Sequence, residues 1–300
     1  MANIYCCFGT FNSGKIYWYV FSDGAKRWIR IGGFNFQPSE VGKLGLIIFF
    51  ASLLTDIKEK GKIKSLFKGA LIPIICLIPI AFSIYILQNH FSATLIIGAV
   101  TVIQMLVAGV RISHLILMFL AVIPFLGIYF NIKNESKNGS FRMTRFQTWL
   151  NPWEDITGEG WQIVQSLYAI GSGGLFGAGL GQSKQKYLYL PEPQNDFIFA
   201  VLAEELGYFG CIAVIILFLI FVWRGIIISM NARDTFGSLI SIGIVSLIGL
   251  QAIINIAVVT NTMPVTGMEL PFFSYGGTAI IVNLLSVGIL LNISRSSKLK

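Results

Sequence analysis

An acidic residue stands at the start of a long apolar run. Asp196 directly precedes the uncharged stretch that begins at Phe197. A carboxylate beside lipid but within reach of water can act as a general base towards a substrate hydroxyl. It can also cap a helix, because carboxylates are favoured at helix N-termini. The sequence alone leaves both interpretations open.

Glu40 and Lys43 form a second charged set, near the start of another apolar run. Residues three apart share one face of a helix, so these two side chains can pair. The pair can plug the interior of a helical bundle as a structural ion pair. It can also form a charged cavity wall that meets an anionic substrate, and the two interpretations are compatible.

Two adjacent carboxylates, Glu204 and Glu205, follow Asp196 in the same predicted helix. Adjacent side chains point about 100° apart on a helix, and exposing both carboxylates to lipid would cost much free energy. They can hydrogen-bond to neighbouring helices. Together with Asp196 they can also bind a divalent cation such as Mg²⁺ or Mn²⁺, which prefers oxygen ligands. The four cysteines and two histidines lack the spacing of a metal site.

Two further segments contain residue types that suit phosphate. Ahead of the first apolar run, Trp28 is surrounded by the basic residues Lys26, Arg27 and Arg30. These cations either anchor the chain at the membrane surface or clamp a phosphate group, for which the arginine fork is suited. The glycine-rich stretch 171–181 either cradles phosphate with its backbone N–H groups or turns tightly against a helix.

The composition places all these groups in a membrane protein. Only 12% of the 300 residues are charged, against about 25% in a soluble domain, and 55% are hydrophobic. The mean hydropathy is +0.74. These values exclude disorder, a disulfide scaffold and an ordinary water-soluble enzyme. The net charge of +8 is typical of basic cytoplasmic loops, so we predict no nucleic-acid partner.

Long apolar runs predict the architecture. About 20 apolar residues cross the roughly 30 Å hydrocarbon core, and in lipid such a run must be helical. The sequence therefore predicts an all-α, polytopic membrane bundle of about seven transmembrane helices. The predicted spans are 38–55, 69–87, 91–110, 113–130, 197–223, 236–258 and 273–293.

The distribution of lysine and arginine predicts the orientation, because cytoplasmic loops are enriched in both. Five lysines lie in 58–68, whereas the short loops 88–90 and 261–271 contain no lysine or arginine. The lysine-rich loop and the C-terminus are therefore predicted to be cytoplasmic. The long loop 131–196, and with it Asp196, is predicted to be extracytoplasmic.

Several motifs together resemble the SEDS family (shape, elongation, division and sporulation), whose members include FtsW, RodA and SpoVE. The motifs are Gly24-Ala-Lys-Arg-Trp-Ile-Arg-Ile-Gly-Gly33, Gln37-Pro-Ser-Glu-Val-Gly-Lys43, Asn151-Pro-Trp-Glu-Asp155, Tyr189-Leu-Pro-Glu-Pro-Gln-Asn-Asp-Phe-Ile-Phe199, Glu204-Glu-Leu-Gly207 and Ser274-Tyr-Gly-Gly277. The Asn-Pro-Trp-Glu-Asp form is nearer to the FtsW and SpoVE branch than to RodA.

The resemblance also bears on the domain organisation. Residues 21–300 resemble one SEDS-like transmembrane domain, whereas 1–20 form an atypical segment that does not resemble what precedes Gly24 in the family. Family members have ten spans and this chain offers seven. We therefore expect that three N-terminal spans are missing from the sequence.

The resemblance implies a peptidoglycan glycosyltransferase of the bacterial cytoplasmic membrane. Such an enzyme polymerises lipid II into β-1,4 glycan strands at the outer face, beside a class B penicillin-binding protein and other division or sporulation proteins. Asp196 matches the family's catalytic aspartate. Substrate-binding roles are implied for Arg27, Glu40, Lys43, Glu192, Glu204 and Ser274. The rival interpretations are a lipid II flippase and an inactive, truncated family member.

Overall fold

The structure is a computed structural model, and it is described over most of the chain. The described residues are 17–20, 26–31, 34–88, 91–118, 120, 146–158, 160–186, 190–191 and 193–297. Seven labelled helices lie in these ranges: α1 (Pro38–Glu59), α2 (Ile72–Gln88), α3 (Phe91–Ala108), α4 (Trp161–Gly173), α5 (Ile198–Met230), α6 (Thr235–Val259) and α7 (Gly277–Ser296).

The predicted helical membrane bundle is confirmed. Among the described residues, four helices are long and apolar enough to cross a bilayer, namely Leu66–Ser83, α5, α6 and α7, and Ser92–Ala108 is a shorter apolar helix. The first of these begins with a π-helical turn at Leu66–Leu71 that continues into α2. The predicted span 113–130 is helical at 113–118, and most of its remainder lies outside the described residues.

A small sheet precedes the bundle, which the sequence analysis did not predict. Strands β1 (Tyr17–Val20), β2 (Lys26–Ile31) and β3 (Phe34–Phe36) pair antiparallel in the order β1-β2-β3. These segments are rich in aromatic and β-branched residues, which favour strands, and they are too short to cross a membrane. The helical bundle begins directly after the sheet, at Pro38, a residue favoured in the first turn of a helix.

Helix α6 is the centre of the bundle. It packs against α1, α3, α5 and α7. In the apolar segment of α6 that is long enough to cross a membrane, 67% is buried, whereas the corresponding share of α5 is 17%. Most of the surface of α5 therefore faces away from the bundle. The buried Gln104 side chain on α3 donates to the carbonyl oxygens of Ile47 and Leu239, both at 3.0 Å. This amide therefore joins α1, α3 and α6 deep in the bundle, where hydrogen bonds between helices replace those to water.

Candidate functional site

Hydrogen bonds gather the predicted outer ends of the helices at one end of the bundle. Ser92, at the start of α3, donates to the Thr266 carbonyl at 3.0 Å. The Gln37 N–H, just before α1, donates to Thr278 Oγ1 on α7 at 3.3 Å. Each contact joins two segments that the lysine distribution places outside. These contacts therefore hold the four segments at the same end of the bundle.

The segment before α5 is attached to the loop before α7. The Asn255 amide on α6 donates to the Asp196 carbonyl at 2.8 Å and also to the Met268 carbonyl. Ser274 donates to the Asn195 carbonyl, and the Tyr275 N–H donates to the Gln194 carbonyl at 2.8 Å. Asp196 is therefore held by its backbone between α6 and the loop before α7.

The Asp196 carboxylate lies beside this loop. Asp196 is half-buried, and the N-cap residue of α5 is Phe197. A Cβ atom placed on Gly267 would lie 3.3 Å from Asp196 Oδ2, and Gly267 has a left-handed φ of 62°. The glycine therefore allows the loop backbone to pass close to the carboxylate.

Glu40 and Lys43 form the predicted ion pair on α1. Lys43 Nζ lies 2.7 Å from Glu40 Oε1, with 3% and 13% of the two side chains exposed. Lys43 also lines a small cavity with Thr101 and Gln104 of α3. Since the pair is internal and also borders open space, the structural and cavity-wall interpretations both fit its position.

Glu269 is a site residue that the sequence analysis missed. Its carboxyl interacts electrostatically with Glu40, Lys43 and Asp196. Burial raises the pKa of Glu269 to about 7; the charges of Glu40 and Asp196 add to this effect and Lys43 opposes it. The sequence signal for Glu269 is an isolated carboxylate in the loop 261–271, between two predicted apolar spans. We call Glu40, Lys43, Asp196 and Glu269 the charged cluster.

Ser274 supports the charged cluster through the backbone. Its hydroxyl accepts from the Leu270 N–H at 2.7 Å while it donates to the Asn195 carbonyl. Only 3% of the residue is exposed. The hydroxyl therefore acts as both donor and acceptor, and it fixes the loop before α7 against Asn195, the residue before Asp196.

Comparison with known proteins then settles the family. The model of the FtsW/RodA/SpoVE family, described as a cell cycle protein, matches residues 15–299. The chain belongs to this family. Stage V sporulation protein E of Bacillus subtilis is 44% identical, over 92% of this chain and 73% of that protein. A probable peptidoglycan glycosyltransferase FtsW of Geobacter metallireducens is 43% identical, over 92% of this chain and 71% of that protein.

Solved structures agree with this assignment. A chain from a structure described as a peptidoglycan synthase complex that coordinates polymerization and crosslinking superposes with a TM-score of 0.74 and 25% identity. It covers 92% of this chain and 75% of its own length. RodA of Thermus thermophilus has the same fold, with a TM-score of 0.60 at 24% identity, over 93% of this chain and 72% of that chain. This SEDS chain is therefore a multi-pass protein of the cytoplasmic membrane, and its similarity to SpoVE and FtsW confirms the predicted branch.

Glu204 and Glu205 of this SEDS chain form their contacts with the loop residues 183–186 and are not part of the charged cluster. Glu204 accepts from the Ser183 hydroxyl and from the Lys184 N–H, the latter at 2.9 Å. Lys186 Nζ lies 2.7 Å from Glu205 Oε1. In the part of the chain that the structure describes, no three His, Cys, Asp or Glu side chains converge on a metal position. The arrangement favours hydrogen bonding as the role of this acidic pair.

The glycine-rich stretch turns tightly against α5, as one of its two interpretations predicts. α5 is interrupted at Gly207, whose φ is 67°. The Ala178 N–H donates to the Glu204 carbonyl, and the Tyr208 N–H donates to the Gly174 carbonyl, both at 2.9 Å. The stretch therefore satisfies backbone groups that the break in the helix leaves without helical partners.

Two of the predicted substrate-binding positions cannot be placed in this site. Glu192 lies outside the described residues. Arg27 belongs to β2, but only the backbone of that strand is described. The structure thus brings together Asp196, Glu40 and Lys43, adds Glu269 to them, and places Ser274 beneath them as a support.

Proposed function

We propose that this chain is a peptidoglycan glycosyltransferase that polymerises lipid II, with Asp196 as its general base. The names of its FtsW relatives support the activity. The observation that carries the catalytic assignment is the half-buried Asp196 carboxylate beside a buried ion pair, at the end of the bundle predicted to face outwards. A lipid-linked sugar can reach this position while its prenyl chain remains in the bilayer.

The proposed reaction is a single displacement. The Asp196 carboxylate removes the proton from the sugar 4-hydroxyl of the acceptor as that oxygen attacks the anomeric carbon of the donor. The bond from the anomeric carbon to the pyrophosphate breaks, and the pyrophosphate leaves with the bonding electrons. This inverts the α linkage of the donor to β. One positioned base contributes roughly 10²–10⁴-fold to the rate.

We also propose a role in catalysis for Lys43, the cation of the charged cluster. Negative charge grows on the leaving pyrophosphate, and a fixed cation stabilises that charge more in the transition state than before it. Lys43 is held in place by Glu40, so its ammonium needs little reorganisation when the charge develops. We propose Arg27 and Glu192 as further substrate contacts on the basis of the motif match, and Ser274 and Glu204 as residues that position the surrounding loops.

A transpeptidase is the proposed partner. The peptidoglycan synthase complex that this chain resembles couples polymerization to crosslinking. We therefore propose that a class B penicillin-binding protein joins this chain at the membrane, in division or in sporulation, since the relatives include FtsW and SpoVE. We also propose that residues 21–300 act as one transmembrane unit, with 131–196 as its extracytoplasmic loop.

The assignment of Asp196 can be tested with Asp196→Asn and the matched variant Asp234→Asn. Asp234 also precedes a long apolar helix, but at the opposite end of the bundle, where it caps α6 through the Gly237 N–H at 3.1 Å. Asparagine retains the ability to cap. With lipid II supplied in detergent micelles and the glycan products resolved on gels, we expect Asp196→Asn to lose at least about 100-fold in rate. Asp234→Asn is expected to keep the parental rate.

Two outcomes would count against this proposal. Normal polymerisation by Asp196→Asn would remove the base assignment. If the parental chain forms no polymer in micelles but moves lipid II across vesicle membranes, the protein is a transporter, because only transport needs a sealed bilayer.

A further inference from the structure

Three parts of the fold surround Glu269, and two of them contribute charged groups. Glu40 and Lys43 approach from α1, and Asp196 approaches from the segment before α5. From the start of α7, the backbone of Gly276 lies so close that an added Cβ would be 3.1 Å from Glu269 Oε2. Glu269 itself belongs to the loop between α6 and α7. It is therefore the point at which the carboxyls of the cluster meet.

The charge balance of the cluster is unfavourable for an anion. Its carboxyl groups outnumber its ammonium group three to one, and the ammonium is already paired with Glu40. A pyrophosphate diester remains fully ionised near neutral pH, so every additional carboxylate repels it. When two neighbouring carboxyls differ in their environment, one can hold a proton while the other stays ionised. Here burial makes Glu269 the group that holds the proton, while Asp196 is the proposed base.

An independent feature of the same region is a buried acceptor with no donor. The Asn255 Nδ2 group bridges the carbonyls of Asp196 and Met268, the residue immediately before Glu269. Asn255 is 1% exposed, and within the described residues its Oδ1 has no hydrogen-bond partner. A buried acceptor of this kind is costly unless a donor reaches it. The amide lies between the two segments that hold the catalytic and the protonated carboxyls, where a donor from a bound sugar would satisfy it.

We infer that Glu269 is a pH-dependent specificity residue, which must be neutral for the cluster to bind the pyrophosphate group of a prenyl-linked sugar. Protonated, Glu269 presents a neutral carboxyl to the pyrophosphate. Ionised, it adds a negative charge beside Glu40 and Asp196 and lowers the affinity. The chemical step still belongs to Asp196. This inference rests on the proposed function for the identity of the ligand, a prenyl-linked sugar pyrophosphate. It does not require that the protein catalyses glycosyl transfer.

The test measures binding of lipid II without turnover. The affinities of Asp196→Asn and of the double variant Asp196→Asn/Glu269→Gln for fluorescent lipid II in micelles are compared between pH 6 and pH 8. Because the two proteins differ only at position 269, titration of the ligand or of other residues cancels. A group with a pKa near 7 loses most of its protons over this range, so the single variant should bind about tenfold more weakly at pH 8. The double variant should bind equally well at both values.

A kinetic measurement on the active protein complements the binding test. In Glu269→Gln, the KM for lipid II should no longer rise above pH 7, whereas kcat should change little. Glu154→Gln is the control, because Glu154 is an exposed carboxyl of the separate loop 131–196, where it accepts a hydrogen bond from Asn151 at 2.9 Å. It should keep the parental rise in KM. Glu269→Met provides a second uncharged side chain of similar length if the glutamine variant does not fold.

The outcomes separate this inference from the proposed function. An unchanged pH dependence in the neutral variants overturns the role of Glu269, and so does failure of a folded neutral variant to bind lipid II at any pH. If the parental chain forms no polymer but the binding experiment gives the expected result, the glycosyltransferase proposal fails while the binding role of Glu269 stands.

Discussion

The Ser274 hydroxyl donates a hydrogen bond to the carbonyl oxygen of Asn195, and this bond fixes the loop before α7 to the residue that precedes Asp196. The same hydroxyl accepts from the Leu270 N–H at 2.7 Å. One buried side chain thereby sets the distance between the segment that holds Asp196 and the loop that holds Glu269. The position of the proposed base depends on this tertiary contact as much as on α5.

Ser274→Ala should reduce polymerisation and stability together. The substitution leaves the Leu270 N–H without its side-chain acceptor, which costs about 1–3 kcal/mol for a buried group. It also releases the segment of Asp196, so we expect kcat to fall by about tenfold or more, as misplaced catalytic groups do. Both effects are measurable as lipid II polymerisation and as the melting temperature in detergent.

Ser296→Ala is the control for that experiment. Ser296 is exposed in the last turn of α7, and its hydroxyl donates locally, to the Ile293 carbonyl at 3.0 Å. It should retain the parental rate and melting temperature. A fully active Ser274→Ala variant would show that the bond to Asn195 does not position Asp196.

Gly267→Ala should impair catalysis more than an equally strained glycine substitution elsewhere. At a left-handed φ of 62°, alanine costs about 1–2 kcal/mol, and its Cβ would lie 3.3 Å from Asp196 Oδ2. Gly61 has a similar φ of 68° but nothing within 4 Å of an added Cβ. The two variants should therefore lose similar stability, whereas only Gly267→Ala should lower the rate of polymerisation.

One outcome of comparing these two glycine variants would contradict the prediction. Equal polymerisation rates for Gly267→Ala and Gly61→Ala, with equal thermal stability, would mean that the space beside the Asp196 carboxylate is unimportant.

The Glu40–Lys43 pair should show strong coupling in a double-mutant cycle. Lys43→Met removes the cation from a 2.7 Å pair and leaves Glu40 buried without it, which costs about 3–5 kcal/mol. Glu40→Gln should be similarly destabilising, because it leaves the buried ammonium uncompensated. The double variant Glu40→Gln/Lys43→Met should be more stable than the sum of the single effects predicts, when unfolding is followed in detergent.

Activity separates the two interpretations of the pair. If the pair is only structural, the double variant regains polymerisation together with stability. We expect that it stays inactive, because neutral side chains cannot stabilise the charge of the leaving pyrophosphate. Recovery of the parental rate would restrict Lys43 to a structural role.

Membrane insertion explains why the helices could be predicted from sequence. Most predicted spans in the described residues coincide with a helix to within about four residues, as in the span 236–258 and the helix Thr235–Val259. The exception is the span 197–223, because the helix there continues to Met230. In lipid the backbone has few alternatives to a helix, so apolar length alone decides the element. The three-stranded sheet before α1 was not predicted, because its strands are short and lie outside any long apolar run.

The candidate site was predicted in part. Motif and position identified Asp196, Glu40 and Lys43, and the structure brings these residues together with Glu269. Glu204 was identified by the same kind of motif match, but it accepts hydrogen bonds from Ser183 and Lys184. The break at Gly207 lets the glycine-rich stretch pack against α5 beside it. Sequence spacing cannot reveal such a pairing, because it joins residues from two separate segments.

The sequence by itself determined the membrane environment of this protein, the course of the apolar helices that the structure describes, and the family, because all three follow from local composition and motif. The tertiary structure alone decided which charges meet. Glu269 lies far along the chain from Asp196 and farther still from Glu40, and the three carboxyls approach one another only because α1, α5, α6 and α7 pack with their outer ends together. Burial at that junction, and no property of the residue itself, raises the pKa of Glu269 to about 7.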